Sequence, residues 1–274
     1  MERRTRLNLW LLAGVAVAAW LVWLELSAPA PEATRPPLTA LVPGAVQWLE
    51  IERSGDGQRL RLERTDGRWW LQHQATRLAA DALRVGEILR LVAAPSEVSY
   101  PLADVDAAAV GLSPPRIVVT AAGAVLRVGA QEPLHYRRYV ATGERLHLVT
   151  DTAYVHLAAD WQDFVDPAPL AGLPELVAVD GPGWRLQRDA QGAWQGDPAR
   201  PEAVAVAWRD LAARKVRAGV APVADGTTLR LTFADGQVRA LDAWRAEGLL
   251  WLAWHGAGVS YGVPLQHAAA LGLE

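Results

Sequence analysis

The chain has 274 residues, a formal net charge of −3 and no cysteine. This acidic balance argues against non-specific binding of nucleic acid, and the lack of thiols excludes disulfides and a lipoprotein attachment site. Hydrophobic residues make up 51% of the sequence and charged residues 21%, which predicts a packed core rather than disorder.

An apolar run at residues 7–24 carries no formal charge. A helix of this length spans about 27 Å, close to the hydrocarbon thickness of a bilayer, so we predict a single transmembrane anchor. Arginines precede the run and glutamates follow it, which predicts a cytoplasmic N-terminus with the rest of the chain across the membrane. Three tryptophans near the ends of the run are the expected headgroup anchors: Trp10, Trp20 and Trp23.

A cleaved secretory signal is the alternative interpretation of this run, because Ala28-Pro29-Ala30 resembles a cleavage site. The apolar stretch is longer than the roughly 7–15 residues of such a signal, and Pro31 would follow the cleaved bond. We therefore favour an uncleaved tip and anchor over residues 1–26. Residues 27–37 are rich in proline, which predicts an extended linker.

Alternating apolar and polar residues then predict three antiparallel strands, at residues 46–53, 59–64 and 68–73. The Asp66-Gly67 pair before the last of them is typical of a tight hairpin turn. Residues 81–92 predict an amphipathic helix, because several apolar residues recur at helical spacing. The apolar face of this helix is predicted to contain Leu83, Ile88, Leu89 and Val92.

Short strands dominate the next stretch, separated by turns that contain glycine. Strands are predicted at residues 97–100, 116–121, 124–128, 136–141 and 145–149, and helical segments at residues 104–110, 152–159 and 161–165.

The second half of the sequence repeats the pattern of the first. LQRDAQGAW at residues 186–194 matches LERTDGRWW at residues 62–70 with one residue inserted. Residues 228–241 match RIVVTAAGAVLRV at residues 116–128, and a helix predicted over residues 202–214 replaces the first long helix. Further strands are predicted at residues 249–254 and 259–261, and a closing helix at residues 265–271.

This duplicated unit is too long for a solenoid repeat and lacks the regular β-α-β alternation of a parallel sheet. We therefore predict an α+β fold, in which an N-terminal transmembrane helix precedes two tandem modules. Each module is expected to be an antiparallel sheet with packed helices. The modules are assigned to residues 38–172 and 173–274.

Several of these stretches together resemble one bacterial family. The DG-R-W meander, a helix beginning near Asp81, VGLSPPRIVV and YRRYVATGERLHLV are similar to the domain of unknown function 4340 family. The resemblance covers residues 46–170 well and the second half more faintly. It implies a single-pass protein of the bacterial inner membrane with a periplasmic domain, a frequent companion of ABC-type transport systems with gliding-motility-like components. The family supplies no catalytic residue for this chain.

A G-x-S-x-G motif at residues 258–262 resembles the nucleophile elbow of hydrolases. That mechanism needs an acid and then a histidine downstream, whereas His267 precedes Glu274 here and too few residues remain for the rest of the sheet. An ordinary glycine-rich turn is therefore the favoured interpretation of Ser260.

Metal, nucleotide and glycosidase sites have weak support in the sequence. The six histidines are scattered outside any zinc motif, and no phosphate-binding glycine loop occurs, so we predict neither metal nor cofactor. Asp160, Asp163 and Asp166 cluster beside Trp161, as the carboxylates of sugar hydrolysis do beside aromatic residues, but their close spacing favours helix capping.

Aromatic and basic residues are the better candidates for a binding surface. Trp69 and Trp70 point to opposite faces of one strand, so one of them is expected in the core and the other either exposed or covered by the helix. An exposed indole can contact a partner or a glycan. In the predicted strand at 136–141, arginines and tyrosines occur on both faces. This pattern fits either an anion-binding surface or arginine stacked on tyrosine. The candidate binding residues are Trp70, Tyr136, Arg137, Arg138 and Tyr139.

These observations predict a protein that is not an enzyme. Its domain would scaffold or assist an ABC-type transport or envelope complex, with the inner-membrane bilayer and other envelope proteins as partners, and no nucleic acid or nucleotide. The first alternative is a module that binds cell-wall glycan or polysaccharide through exposed tryptophan and arginine. An envelope hydrolase that uses Ser260 or the aspartate cluster is the second.

Overall fold

Two-residue turns with positive φ angles join many of the strands. The predicted Asp66-Gly67 turn is present, with φ angles of 52° and 76° that fit a type I′ hairpin. Ala122-Gly123 and Glu247-Gly248 also have positive φ at both positions and connect consecutive strands. Such turns match the right-handed twist of the strands that they join, so the local sequence fixes these hairpins.

The computed structural model describes residues 35–219 and 226–273, together with Trp20. The first half contains β1 (Trp48–Arg53), β2 (Arg59–Thr65), β3 (Arg68–His73), β4 (Thr76–Ala79), β5 (Val98–Pro101), β6 (Ile117–Ala121), β7 (Ala124–Gln131), β8 (Arg138–Thr142) and β9 (Arg145–Val149). The second half contains β10 (Leu176–Gly181), β11 (Trp184–Arg188), β12 (Trp194–Gly196), β13 (Lys215–Ala218), β14 (Thr227–Phe233), β15 (Val238–Ala246), β16 (Leu249–Trp254) and β17 (Val259–Pro264). The helices are α1 (Ala82–Val92), α2 (Tyr154–Leu157), α3 (Pro201–Arg209) and α4 (His267–Ala270), with 3-10 turns at Pro43–Ala45, Leu102–Asp104 and Trp161–Phe164.

The two halves of the chain share one connectivity. The first sheet has the strand order β4-β3-β2-β1-β6-β7-β8-β9-β5, and the second has β12-β11-β10-β14-β15-β16-β17-β13. Apart from β4, each position in one sheet has its equivalent in the other. In both halves the chain makes a hairpin meander, forms a helix, adds a strand at the far edge and returns to pair beside the first strand. The internal repeat in the sequence therefore corresponds to two antiparallel sheets of the same topology.

One loop differs clearly between the equivalent hairpins. β7 and β8 are separated by six residues, 132–137, whereas β15 and β16 are joined by Glu247 and Gly248 alone. The first sheet thus carries a projecting loop that the second sheet lacks.

The predicted α+β class is wrong, because strands account for 44% of the residues and helices for 17%. Apart from α1, the helices are shorter than predicted, and α2 and α4 have four residues each. The helix predicted to end at residue 214 ends at Arg209 instead, since Lys215–Ala218 pairs with β17 as an edge strand. β4, which pairs with β3, was also missing from the prediction. The fold is two large antiparallel sheets with few helices.

The predicted N-terminal transmembrane helix is not supported. Within the described residues, no helix has both the length and the apolar character needed to cross a bilayer. Of the expected anchor tryptophans, Trp20 is exposed, while Trp10, Trp23 and the rest of the predicted anchor lie outside the described residues.

Helix α1 packs one face against the first sheet and begins where the sequence predicts. Asp81 caps it by accepting hydrogen bonds from Leu83 N and Arg84 N. Ile88 is fully buried, but Leu83 is 83% exposed and does not belong to the predicted apolar face. Leu83 lies in the first turn of the helix, and Val85 takes the buried position instead.

Both halves contribute to one hydrophobic core. Residues from Pro37 onward form one compact unit, and buried side chains from both sheets, α1 and α3 form one contiguous cluster. The segment between the sheets, residues 160–175, is hydrogen-bonded to each half. Its bonds run from Asp166 N to Ala79 O (2.8 Å), from Ala213 N to Pro167 O (2.8 Å) and from Trp254 Nε1 to Pro169 O (2.9 Å).

The packing of α1 predicts that Ile88→Ala lowers the free energy of unfolding by about 2–5 kcal/mol, because it leaves a cavity in the core. Leu83→Ala on the same helix should change it by less than about 0.5 kcal/mol, since that side chain is exposed. Chemical denaturation of both variants measures the difference. Equal losses would contradict the observed orientation of the helix.

Candidate functional site

The loop between β7 and β8, residues 132–137, is called the tip. The strand predicted from residue 136 begins at Arg138, because Tyr136 has a φ angle of 58° and cannot continue a strand. The tip is closed by hydrogen bonds from Glu132 N to Arg137 O (2.7 Å) and from Tyr136 N to Glu132 O (3.1 Å). The predicted alternation of arginine and tyrosine along a strand is therefore absent.

An ion-pair network holds the tip in shape. The Arg137 guanidinium donates to both carboxylate oxygens of Glu132, at 2.9 and 2.7 Å, and also to Glu97 at 3.4 Å. Hydrogen bonding by Arg137 lowers the pKa of the Glu132 carboxyl from 4.5 to about 2. A bidentate arginine–carboxylate pair has fixed geometry, so Arg137 holds the two ends of the tip together. Its positive charge is balanced by the Glu132 carboxylate.

Two large apolar side chains project from this clamped loop. Leu134 is 79% exposed and Tyr136 is 70% exposed. Exposed aromatic and aliphatic groups on a rigid loop are suited to insertion into a pocket on another protein. Leu134 was not among the binding residues predicted from the sequence. Its place between Pro133 and a predicted strand indicates a loop, which is the signal that could have identified it.

Arg138, another candidate binding residue, is buried. Its guanidinium pairs with Asp151 and donates to Gly129 O at 3.2 Å, and it lies 3.7 Å from the centroid of the Tyr154 ring. Tyr139 is partly buried against a small cluster that includes Leu112. Both side chains join β8 to its neighbours.

Trp70 lies in a groove between the two halves of the chain, called the inter-module groove, with a volume of about 450 Å³. The Arg77 guanidinium lies 4.5 Å from the centre of the indole. Gly172 closes the other side, since a Cβ there would lie 2.5 Å from the Trp70 ring. The second half supplies Arg239 and Trp254.

The polar lining of this groove is basic. Neither Arg77 nor Arg239 has a carboxylate within 4.0 Å among the residues that the structure describes, and both are exposed. His255 also lines the groove and is hydrogen-bonded to Asp242 at 2.8 Å. Burial, with the nearby Asp166 carboxylate, raises the pKa of the Tyr261 hydroxyl, which therefore keeps its proton at neutral pH.

The candidate catalytic groups are engaged in structural contacts. Ser260 lies fully buried within β17, and its hydroxyl donates to Gly219 O at 2.6 Å, so it is not on an elbow. Asp160 and Asp163 form a capping box around Trp161–Phe164, which confirms the capping interpretation. In the parts of the chain that the structure describes, no group of three or more His, Asp or Glu residues is arranged to hold a metal ion.

His147 is buried within β9 between two hydroxyl groups. Its Nδ1 lies 2.9 Å from Ser96 Oγ and its Nε2 lies 2.9 Å from Thr142 Oγ1. Burial, with the nearby positive charge of Arg145, lowers the pKa of His147 below 6.5. His135 lies in the tip beside Glu132, away from this buried position.

The buried pair of Arg138 and Asp151 predicts that Arg138→Gln lowers the free energy of unfolding by about 3 kcal/mol, because an unpaired carboxylate is left in the interior. A matched exposed change, Arg61→Gln, should cost less than about 1 kcal/mol. Urea denaturation compares the variants, and similar losses would contradict a structural role for Arg138.

The environment of His147 predicts a loss of stability on mild acidification. The folded pKa lies below 6.5, so the unfolded chain binds more protons between the two values, and the free energy of unfolding falls as the pH drops below about 6.5. His147→Gln should flatten this dependence between about pH 7 and 5.5. Unfolding curves across this range measure the slopes, and equal slopes for wild type and His147→Gln would refute the assignment.

Comparison with models of known families, with characterised proteins and with solved structures finds no match to the chain. The resemblance to the domain of unknown function 4340 family stays a prediction.

Proposed function

We propose that the chain is a non-enzymatic scaffold domain that binds a protein partner through the tip. The observation that supports this proposal is the pair of exposed apolar side chains, Leu134 and Tyr136, on a loop held by the bidentate contact of Arg137 with Glu132. A rigid loop loses little conformational entropy on binding, which favours affinity.

The charges around the tip indicate what kind of partner fits. Arg137 and Glu132 neutralise each other, and Glu97 accepts a further hydrogen bond from Thr150 at 2.8 Å. The part of the tip that projects is therefore apolar and aromatic rather than charged. A matching surface would have an apolar pocket for Tyr136, with a polar group at its base for the phenolic hydroxyl.

The side chains that were candidates for catalysis form structural hydrogen bonds, which also supports a role in binding rather than catalysis. The Ser260 hydroxyl and the Asp160–Asp163 capping box satisfy backbone groups of the fold. The resemblance to the domain of unknown function 4340 family suggests a subunit of an ABC-type transport or envelope complex as the partner. A periplasmic location of the domain stays a prediction from the sequence.

Site-specific crosslinking tests this proposal in cells. Tyr136→p-benzoylphenylalanine should give, on irradiation, a discrete adduct with a subunit of a transport or envelope complex. Val125→p-benzoylphenylalanine is the matched control, because Val125 is exposed at the other end of the same hairpin. Adducts of equal yield at both positions, or adducts only with abundant cytosolic proteins, would refute a specific contact at the tip.

Loss of the apolar contacts gives a second readout. Leu134→Ser combined with Tyr136→Ser should reduce co-purification of the crosslinked partner by at least about tenfold, as expected for hot-spot residues. The melting temperature should change by less than about 2 °C, because both side chains are exposed. Undiminished recovery of the partner would count against the tip as the binding surface.

A further inference from the structure

Strand β4 is the outermost strand of the first sheet and borders the inter-module groove. All of its residues, Thr76–Ala79, line the groove. Successive side chains of a strand point to opposite faces of the sheet, so a continuous run of lining residues means that the backbone edge of β4 itself faces the groove. An open strand edge can accept a further strand from another chain.

The segment between the sheets covers only the end of this edge. Asp166 N donates to Ala79 O at 2.8 Å, and one bridge beyond it joins Ala80 to Val165. At Pro167 the chain leaves the edge, and the Pro167 carbonyl accepts a hydrogen bond from the second half instead. Among the described residues no other strand pairs with this side of β4, so the remainder of the edge is open.

The pairing of β4 with β3 fixes which backbone groups the open edge presents. Ala80 N donates to Trp69 O at 2.9 Å, and hydrogen-bonded pairs alternate along an antiparallel ladder. The N–H and C=O groups of Arg77 therefore point away from β3. Neither group has a hydrogen-bond partner in the ranges that the structure describes, 35–219 and 226–273. Arg77 thus offers a donor and an acceptor side by side, as an added strand requires.

The charge of the groove indicates what kind of strand fits. Arg77 and Arg239, one from each half of the chain, are exposed and are hydrogen-bonded to neutral side chains. The residues that line the groove include neither aspartate nor glutamate, and Asp166, at the end of the edge, lies 3.9 Å from Arg68. A segment that carries carboxylates is therefore favoured over a neutral or a basic one.

The Arg77 side chain leaves the strand edge accessible. Its guanidinium lies 4.5 Å from the centre of the Trp70 ring and donates to Thr65 Oγ1 at 2.7 Å, so the side chain lies across the face of the sheet. In an added strand, the side chain opposite Arg77 lies on that same face, where a carboxylate meets the guanidinium. Val238, which also lines the groove, is 59% exposed and offers an apolar contact beside Arg239.

We propose that the inter-module groove binds an extended acidic peptide segment of a partner protein, which adds to β4 as a further antiparallel strand. The peptide residue opposite Arg77 exchanges two backbone hydrogen bonds with it and carries a carboxylate side chain. A second acidic residue of the peptide pairs with Arg239. The groove is separate from the tip, so this contact does not depend on the function proposed for Leu134 and Tyr136.

Fluorescence anisotropy with the full-length chain tests the proposal, with a labelled hexapeptide of alternating threonine and glutamate as the probe. This peptide should bind, and the same peptide with lysine in place of glutamate should bind at least about tenfold more weakly, because its charges repel the two arginines. Absence of binding by the glutamate peptide, or equal binding by both peptides, would overturn the proposal.

Methylated peptides separate strand addition from simple attraction between charges. N-methylation of the glutamates removes the N–H groups that face β4 and should weaken binding at least about tenfold, through loss of hydrogen bonds to the strand edge. N-methylation of the threonines leaves those N–H groups intact and should weaken binding less. Equal affinities of the unmodified and the glutamate-methylated peptides would refute addition to the edge of β4.

Variants then locate the site. Arg77→Gln combined with Arg239→Gln should weaken binding of the glutamate peptide at least about tenfold, because both charge-assisted contacts are lost. The control Arg145→Gln with Arg200→Gln removes the same charge outside the groove and should leave the affinity unchanged. Equal loss in both double variants would indicate non-specific attraction and refute a site in the groove.

A last variant distinguishes the groove from the tip. Leu134→Ser combined with Tyr136→Ser should bind the glutamate peptide as the wild type does. Loss of peptide binding in this variant would place the peptide at the tip and overturn its assignment to the groove. Thermal unfolding of each variant verifies that it is folded.

Discussion

The segment between the two sheets is the constraint on which the rest of the structure depends. Its backbone is bonded to β4 through Asp166 and to the second half through Pro167 and Pro169. These bonds place the edge of one sheet beside the end of the other and allow the two halves to share one core. Among the described residues no strand pairs one sheet with the other, so these bonds hold Trp70 and Trp254 at a common groove.

The two candidate surfaces differ in how their charges are balanced. At the tip, Arg137 is matched by Glu132 and Glu97, so the network orders the loop and leaves apolar groups to project. In the groove, Arg77 and Arg239 contact only neutral oxygens. A matched ion pair fixes the conformation of a loop, whereas an arginine without a carboxylate partner leaves its positive charge exposed. Arg138 belongs with the first kind, because its pair with Asp151 is buried.

Local chemistry made much of the fold predictable. Asp66-Gly67 fixes a hairpin through the φ angles that it adopts, and Asp81 starts a helix by capping it. The α+β class failed because short helical patterns do not reveal where tertiary contacts end a helix, as the pairing of Lys215–Ala218 ends α3 early. The groove could not be predicted, since its residues are brought together by contacts between the halves. Arg138 was predicted to be a binding residue, but its side chain is buried in a pair with Asp151. That partner lies thirteen positions away in the sequence, so no local pattern indicates the contact.

The unequal loops of the equivalent hairpins bear on how a duplicated unit acquires new roles. The hairpin of β15 and β16 closes with Glu247-Gly248 and keeps a continuous register. The equivalent hairpin of β7 and β8 carries the projecting tip, and its register shifts between Val128 and Gln131 directly behind that loop. After a duplication, the first half can therefore carry an additional loop while the second half keeps the shared topology of the two sheets. The extra length of the tip lies in a connection between strands, where a change of length costs the fold little.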